Sequence, residues 1–404
     1  MSKAWPIVRL GEVLTPVRRE ESVDPSREYR LLGVRLDGNG PFLRETVTGT
    51  QTAAARLFRV AEGDFIYSRL FACRGALGVI GKELDGCYVS GEFPTFKAVP
   101  DLVDVQFLRY WFRLPAVIAR VDADCSGSTP LTRNRFNERF FVALEIPLPS
   151  LAEQRRVVAR IEELTGHIQE ARRLRQQAME VAQAVMVSAR RSVFGELPQA
   201  SWIPMGRLIA KIENGKSPQC EPRPAASDEW GVLKVGAISF GAFNDKENKA
   251  LPRGLNFDPS YEIRSGDFLM SRANTTALVG ACAIVKLTRP RLLLSDKTFR
   301  FHFESVVAVV PRWLDHALKS PALRSQIECE ASGTSPTMKN ISKEKVLGLL
   351  LPPHSMSKQT RVVAELDALQ AEVDALGALQ AETAGELDAL LPAILDRAFK
   401  GELV

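Results

Sequence analysis

Two long stretches of the chain repeat apolar residues in steps of three and four. In the first, Val157, Ile161, Leu164, Ile168, Ala171, Leu174, Ala178, Val181 and Val185 keep this spacing. In the second, Val362, Leu366, Leu369, Val373, Leu376, Leu379, Thr383, Leu387, Leu390 and Ile394 do the same. A stripe this narrow over four heptads predicts a coiled-coil seam, drawn from Val157, Ile161, Leu164, Ile168 and Leu174 in the first segment and Leu366, Leu369, Val373 and Leu376 in the second. Each segment begins just after prolines, Pro147-x-Pro149 and Pro352-Pro353, and ends near Gly195 or Gly401, where helix stops are expected. Ser150-x-x-Glu153 supplies a capping box at the first start. About 45 residues of helix at 1.5 Å per residue would reach roughly 65 Å.

Outside these stretches the pattern is different. Short runs rich in β-branched and aromatic residues, such as Asp64–Tyr67, Ala76–Ile80, Phe268–Ser271 and Ala281–Lys286, are separated by Gly, Asn, Asp and Pro. They predict short strands and turns, with helices around Val105–Arg113 and Pro311–Lys319.

The chain also repeats itself. Glu62-Gly63-Asp64-Phe65-Ile66-Tyr67-Ser68-Arg69 matches Ser265-Gly266-Asp267-Phe268-Leu269-Met270-Ser271-Arg272, 203 residues on. Ser126-Gly127-Ser128-Thr129-Pro130 matches Ser332-Gly333-Thr334-Ser335-Pro336 at 206, and Gln154-x-Arg156-Val157-Val158-Ala159 matches Gln359-x-Arg361-Val362-Val363-Ala364 at 205. The openings Leu10-Gly11-Glu12-Val13-Leu14 and Met205-Gly206-Arg207-Leu208-Ile209 correspond, as do the endings Phe194-Gly195-Glu196-Leu197 and Phe399-Lys400-Gly401-Glu402-Leu403. Five matches in one order make the 404 residues two units of one design. The expected organisation is a first head over 1–150, a central helix over 151–197, a second head over 198–351 and a C-terminal helix over 352–404. If the two stripes bury each other, the second helix runs back along the first. The fold class is then mixed α/β (α+β): two similar globular domains on two long antiparallel helices, related by a pseudo-twofold axis.

Composition removes several function classes. Apolar residues at 45% and charged residues at 25% are those of a globular chain, not of a disordered or membrane-embedded one. The longest apolar runs are far shorter than the ~20 residues of a membrane span. With no apolar signal core near the N-terminus, the expected location is cytoplasmic. The six cysteines and four histidines are scattered without metal-ligand spacing, so no metal and no disulfide framework is expected.

The net charge of +5 is unevenly spread. Residues 1–150 hold 20 basic and 18 acidic groups and residues 198–351 hold 21 and 15, an excess of +8 in the heads. The helical segments hold 8 against 6 and 4 against 9, a sum of −3. This basic excess is modest, and placement matters more. Cations lie beside small polar residues in loop-like stretches at equivalent places in both units. Arg, Asn, Ser and Thr are the side chains that grip phosphates and read base edges. The candidate DNA contacts are Arg69, Arg74, Ser126, Ser128, Arg133 and Arg135 in the first head. In the second they are Arg272, Asn274, Lys297, Ser332, Thr334 and Lys339. Solvated loop charge is the alternative for any one of them; the duplicated placement favours the contact.

These residues carry a resemblance. The run Ile146-Pro147-Leu148-Pro149-Ser150-Leu151-Ala152-Glu153-Gln154-Arg155-Arg156-Val157-Val158, its second copy Leu351-Pro352-Pro353-His354-Ser355-Met356-Ser357-Lys358-Gln359, and the paired Phe-Gly-Glu-Leu-like endings resemble the specificity subunit of type I restriction-modification enzymes. The likeness covers essentially the whole chain. It implies two target-recognition domains, each reading one half of a split site in double-stranded DNA. The helices would set the gap and dock two modification subunits. Those partners would bind S-adenosylmethionine and methylate adenine, with restriction (motor-nuclease) subunits as further partners. It implies no cofactor in this chain. Two departures stand out: Lys358 replaces Glu153 at the second helix start, and Pro392 falls within the second helix with Val187 at its place in the first.

Enzyme motifs fail. Asn214-Gly215-Lys216-Ser217 looks like the end of a phosphate-binding loop, but the first glycine would be Ala210, and Pro218 follows where a helix should open. There is no Asn/Asp-Pro-Pro-aromatic tetrapeptide and no defensible nucleophile–base grouping. The chain is expected to be non-catalytic. The rival reading is a coiled-coil scaffold whose two heads dock proteins.

Overall fold

The computed structural model describes residues 5–125, 135–239, 241–304, 310–335 and 338–403. The chain forms two compact units, one of residues 1–175 with 381–404 and one of residues 176–380.

In the first unit, strand Ile7–Arg9 pairs antiparallel with Glu145–Pro147, bringing the two ends of the head together. A four-stranded sheet runs Leu14–Val17, Thr95–Ala98, Phe65–Tyr67, Leu77–Val79. A five-stranded sheet runs Glu20–Ser22, Arg56–Arg59, Tyr88–Val89, Glu28–Val34, Pro41–Thr48. Helices Val105–Trp111, Pro115–Ala123 and Glu138–Ala143 close the head. Strand Phe65–Tyr67 is buried along its whole length, which explains its apolar run without alternation. Phe65, Tyr67, Phe96, Phe112 and Phe141 form the centre of the core, with ring centroids 4.6 to 6.2 Å apart in the nearest pairs.

The second unit repeats this plan. Ile203–Pro204 pairs with Leu350–Leu351. The four-stranded sheet is Ile209–Asn214, Thr298–Phe303, Phe268–Ser271, Cys282–Ile284, and the helices are Pro311–Leu318, Pro321–Glu330 and Lys343–Gly348. What differs is the peripheral sheet. Three short strands, Asn248–Ala250, Gly231–Leu233 and Leu292–Leu293, stand where the first unit has five.

The repeated Gly-Asp motif makes a turn. Gly63 and Gly266 have φ of +80° and +92°, a conformation that costs glycine least. The carboxylates of Asp64 and Asp267 then accept the amide hydrogens of Ala61 and Arg264, both at 2.9 Å. Arg19 pairs with Asp64 at 2.5 Å and Arg300 with Asp267 at 3.2 Å, so the turn is tied down by a distant arginine in each head.

The central helix is continuous from Leu151 to Gly195. The amide of Glu153 donates to the Ser150 hydroxyl at 3.4 Å, but the Glu153 carboxylate turns to Arg156 at 2.9 Å, so only half of the expected capping box forms. The C-terminal segment is two helices, Met356–Glu382 and Ala384–Phe399. The interruption is at Thr383, beside Gly385, where two weak helix formers meet. Pro392 lies inside the second piece.

Within each unit the helical segments run antiparallel. Arg172 meets Asp388 at 2.7 Å in the first, while Ile161 and Leu395 share one core. In the second, Arg190 donates to Gln370 at 3.2 Å and Lys358 pairs with Glu196 at 2.8 Å. Val157, Ile161, Ile168 and Leu366 are buried; Leu164, Leu369, Val373 and Leu376 are half-buried; Leu174 is 51% exposed. No helix among the described residues is long and apolar enough to cross a membrane.

A glutamine joins each long helix to its head. The buried Gln154 side chain accepts the amide hydrogen of Asp104 at 2.8 Å and donates to the carbonyls of Leu102 and Pro149 at 2.9 and 2.8 Å. Asp104 is the N-cap of helix Val105–Trp111. Gln359 repeats the clasp, accepting from Val310 and donating to the His354 carbonyl, both at 3.0 Å. Val310 is again an N-cap.

Candidate nucleic-acid interface

The buried strands Phe65–Tyr67 and Phe268–Ser271 each deliver a Ser-Arg pair to the end of the central sheet. The backbone around the two arginines is the same. Arg69 donates its amide to Glu92 and Arg272 donates to Lys297, both at 2.9 Å. Phe136 donates to the Arg69 carbonyl at 2.9 Å and Ile341 to that of Arg272 at 3.0 Å. Each guanidinium donates to the carbonyl before that position, Arg69 to Gly91 at 2.5 Å and Arg272 to Asp296 at 3.2 Å. Behind Arg69, the buried Tyr67 hydroxyl donates to the Phe136 carbonyl at 3.4 Å, and burial pushes the phenol up, so it stays protonated.

In the second head the candidate residues gather on one small sheet, in the order Ala273–Asn274, Met338–Asn340, Ser332–Ser335. Asn274 lies opposite Lys339, and Ser332 opposite Asn340. Asn274 donates to the Ser239 hydroxyl at 3.0 Å, and Lys339 to the Gly333 carbonyl at 2.7 Å. Ser332 and Thr334 are exposed, as is Lys297, which the Arg272 backbone holds beside this sheet. Six candidates separated in sequence thus share one end of the head.

The first head is less open. The Arg69 guanidinium forms an ion pair with Glu138, and Arg135 pairs with Glu92 at 2.8 Å. Arg74 is exposed at the end of the helical turn Ala72–Arg74. Ser126, Ser128 and Arg133 lie outside the described residues.

Single-residue reasoning overlooked Glu92 and Glu138, the counter-charges of the first head, and Lys343 in the second. The repeat itself carried the signal, since an offset of 205 sets Glu92 against Lys297 and Glu138 against Lys343. Among the described residues no three His, Cys, Asp or Glu side chains come together as metal ligands. Among the described residues this end of either head shows no nucleophile paired with a base; the side chains exposed there are hydrogen-bond donors and cations.

No family model matches the chain. It is 33% identical over 176 residues, 43% of its length, to the type I restriction enzyme EcoEI specificity subunit of Escherichia coli, of which the match covers 29%. It is 25% identical over 287 residues to the EcoKI specificity subunit of Escherichia coli strain K12, covering 67% of this chain and 60% of that one. The chain therefore spans less than two thirds of these curated relatives. Among solved structures it matches one described as the basis of complex assembly and conformational transition of the type I R-M system, with a TM-score of 0.70, 25% identity and coverage of 99% and 98%. The fold is also that of the HsdS subunit from Thermoanaerobacter tengcongensis, at a TM-score of 0.58, 24% identity and coverage of 99% and 97%. In sequence and in fold, the chain is similar to the specificity subunits of type I restriction-modification systems.

Proposed function

We propose that this protein is the non-catalytic DNA-recognition subunit of a type I restriction-modification complex. The observation that carries this is the match over 99% of the chain to a type I system structure, in which both heads and both helical segments take part. Each head, residues 1–150 and 198–351, reads one half of a bipartite site in double-stranded DNA. The helical segments, 151–197 and 352–404, set the gap and dock the methyltransferase subunits. S-adenosylmethionine belongs to those partners, as does any motor-nuclease activity. The working compartment is the cytoplasm. The contacts come from Arg74, Ser126, Ser128 and Arg133 in the first head, whose Arg69 and Arg135 are closed into ion pairs with Glu138 and Glu92, and from Arg272, Asn274, Lys297, Ser332, Thr334 and Lys339 in the second.

The test is retardation of DNA duplexes by the full chain with its modification partner, at stated salt, together with mapping of methylated adenines in cells expressing both. A split site methylated on both sides of a fixed gap is expected. Substitutions in one head should change one half-site; equal changes at both would break the assignment of one head to one half. A scaffold that docks proteins predicts no sequence-dependent retardation.

A further inference from the structure

Superposing the two units by their shared hydrogen bonds turns four positions at the end of each head into a matched set. In the first head these are Arg69, Glu92, Arg135 and Glu138, and they close into two ion pairs. In the second they are Arg272, Lys297, Asn340 and Lys343. Both carboxylates have become lysines. Helix Lys343–Gly348 opens on Lys343 as helix Glu138–Ala143 opens on Glu138. The carbonyl of residue 297 receives the Arg272 amide just as that of residue 92 receives the Arg69 amide, so the backbone has not moved to accommodate the change.

Reversing both charges leaves three cations on this end of the head where the first head has two ion pairs. Among the described residues Lys297 and Lys343 form no ion pair, and the Arg272 guanidinium donates to a backbone carbonyl. The two acids nearest in sequence hydrogen-bond elsewhere. Asp296 accepts the Ser217 hydroxyl, and Glu344 is held low by bonds to its own backbone and Ser342 at the helix start, with the Lys343 charge lowering it further. Two lysines and an arginine kept at one edge repel one another in water unless an anion lies between them. Ser332 and Thr334 stand exposed on the adjoining sheet, and Asn340 lies in its middle strand, so the surroundings offer further donors.

We propose that Arg272, Lys297 and Lys343 form a phosphodiester grip in the second head, and that the matching set in the first head is an internal staple that contacts no phosphate. This rests on the DNA-recognition function proposed above, and adds which residues supply salt-dependent affinity. Lysines act as point charges on phosphate and carry no base preference. Arg69, read from sequence as a DNA contact, becomes a positioning residue for the loop around Glu92 and Phe136.

The experiment is titration of the full chain, with its modification partner, against two duplexes, one carrying the methylated site and one of unrelated sequence, at several salt concentrations. Each of Lys297→Gln and Lys343→Gln should lower the slope of log K against log salt by about 0.9, the double variant by about twice that, and both duplexes should weaken alike. Lys297→Arg should restore the slope. Arg135→Gln in the first head should leave it unchanged. An unchanged slope in the lysine variants, with preference for the site intact, overturns the grip and leaves the recognition function standing. Weakening on the site duplex alone also overturns it, making the lysines base readers. Absence of any preference by the unaltered chain overturns the recognition function itself.

Discussion

Each head meets its helices at a joint built on the same positions and from opposite materials. In the first unit, Phe107 and Trp111 pack with Leu395 and Phe399, and the Phe107 and Phe399 rings lie 4.8 Å apart. In the second unit the residues 205 positions away from Phe107, Trp111 and Leu395 are Arg312, His316 and Arg190. Arg312 bridges Asp367 and Asp315, both at 2.7 Å, and Lys319 reaches Asp315 at 2.7 Å. His316 meets Asp367 at 2.8 Å. Both joints keep an aromatic anchor, Phe399 in one and Phe194 against Trp313 in the other. One backbone plan thus tolerates an apolar and an ionic seam, but the two should respond to different insults. An apolar joint loses stability with volume; an ionic one loses it with charge, since desolvation must be offset by complete pairing. The ionic joint is not complete: the Nε of Arg190 and the Nδ1 of His316 have no hydrogen-bond partner among the described residues.

The largest effect should come from Phe107→Ala, which empties a fully buried site. A loss of about 3–5 kcal/mol is expected, read by denaturant unfolding of the full chain. A loss below about 1 kcal/mol would break the contrast, because the joint would then not depend on filled volume. Asp315→Asn comes next. It keeps the shape but strips the carboxylate from Arg312 and Lys319, and because those cations are partly exposed, about 2–3 kcal/mol is expected.

The smallest effect sharpens the comparison through pH. Burial, set against the hydrogen bond to Asp367, holds His316 below its ordinary range, with Arg312 and Arg190 adding to the lowering and Asp315 opposing it. The unfolded chain therefore takes up a proton that the folded one resists. Stability of the second unit is whole above about pH 6.5 and falls as pH drops below that. Asp367, desolvated but held low by its bonds to His316 and Arg312, adds a further loss in more acid solution. Protection from hydrogen exchange in helix Pro311–Leu318, taken against the intrinsic rate at each pH, should fall between pH 7 and about 5.5, while that of helix Val105–Trp111 should not follow. His316→Gln, which keeps a donor toward Asp367, should flatten the response. An equal loss of protection in both helices would show that His316 is not its source.

The long helices and the duplication were legible because each depends on local spacing or on self-comparison. Strand positions such as Phe65–Tyr67 and Phe268–Ser271 were legible too, from apolar runs opened by Gly-Asp turns. The pairing of strands was not, nor the break at Thr383, because Pro392 is the louder breaker and the weak formers Thr383 and Gly385 sit nine and seven residues before it. Within the site, the arginines were visible and their partners were not. Arg69 meets Glu138 across 69 residues and Arg135 meets Glu92 across 43, distances over which local pattern carries no information. The role of Gln154 was hidden the same way: the motif was plain, but it reads as a helix start until Asp104 is seen beside it, 50 residues away in sequence.

That glutamine bears on where the molecule divides into exchangeable parts. Hydrophobic periodicity draws the border of the first head at Ser150, yet a cut there would leave the amide of Asp104 and the carbonyl of Leu102 without their partner, at about 1 kcal/mol for each half-buried bond lost. The smallest piece that keeps its own bonds includes the first turn of the long helix. By the same clasp at Gln359, a graft of either head onto another chain should carry that turn with it, and the natural splice point lies inside the helix, after the glutamine.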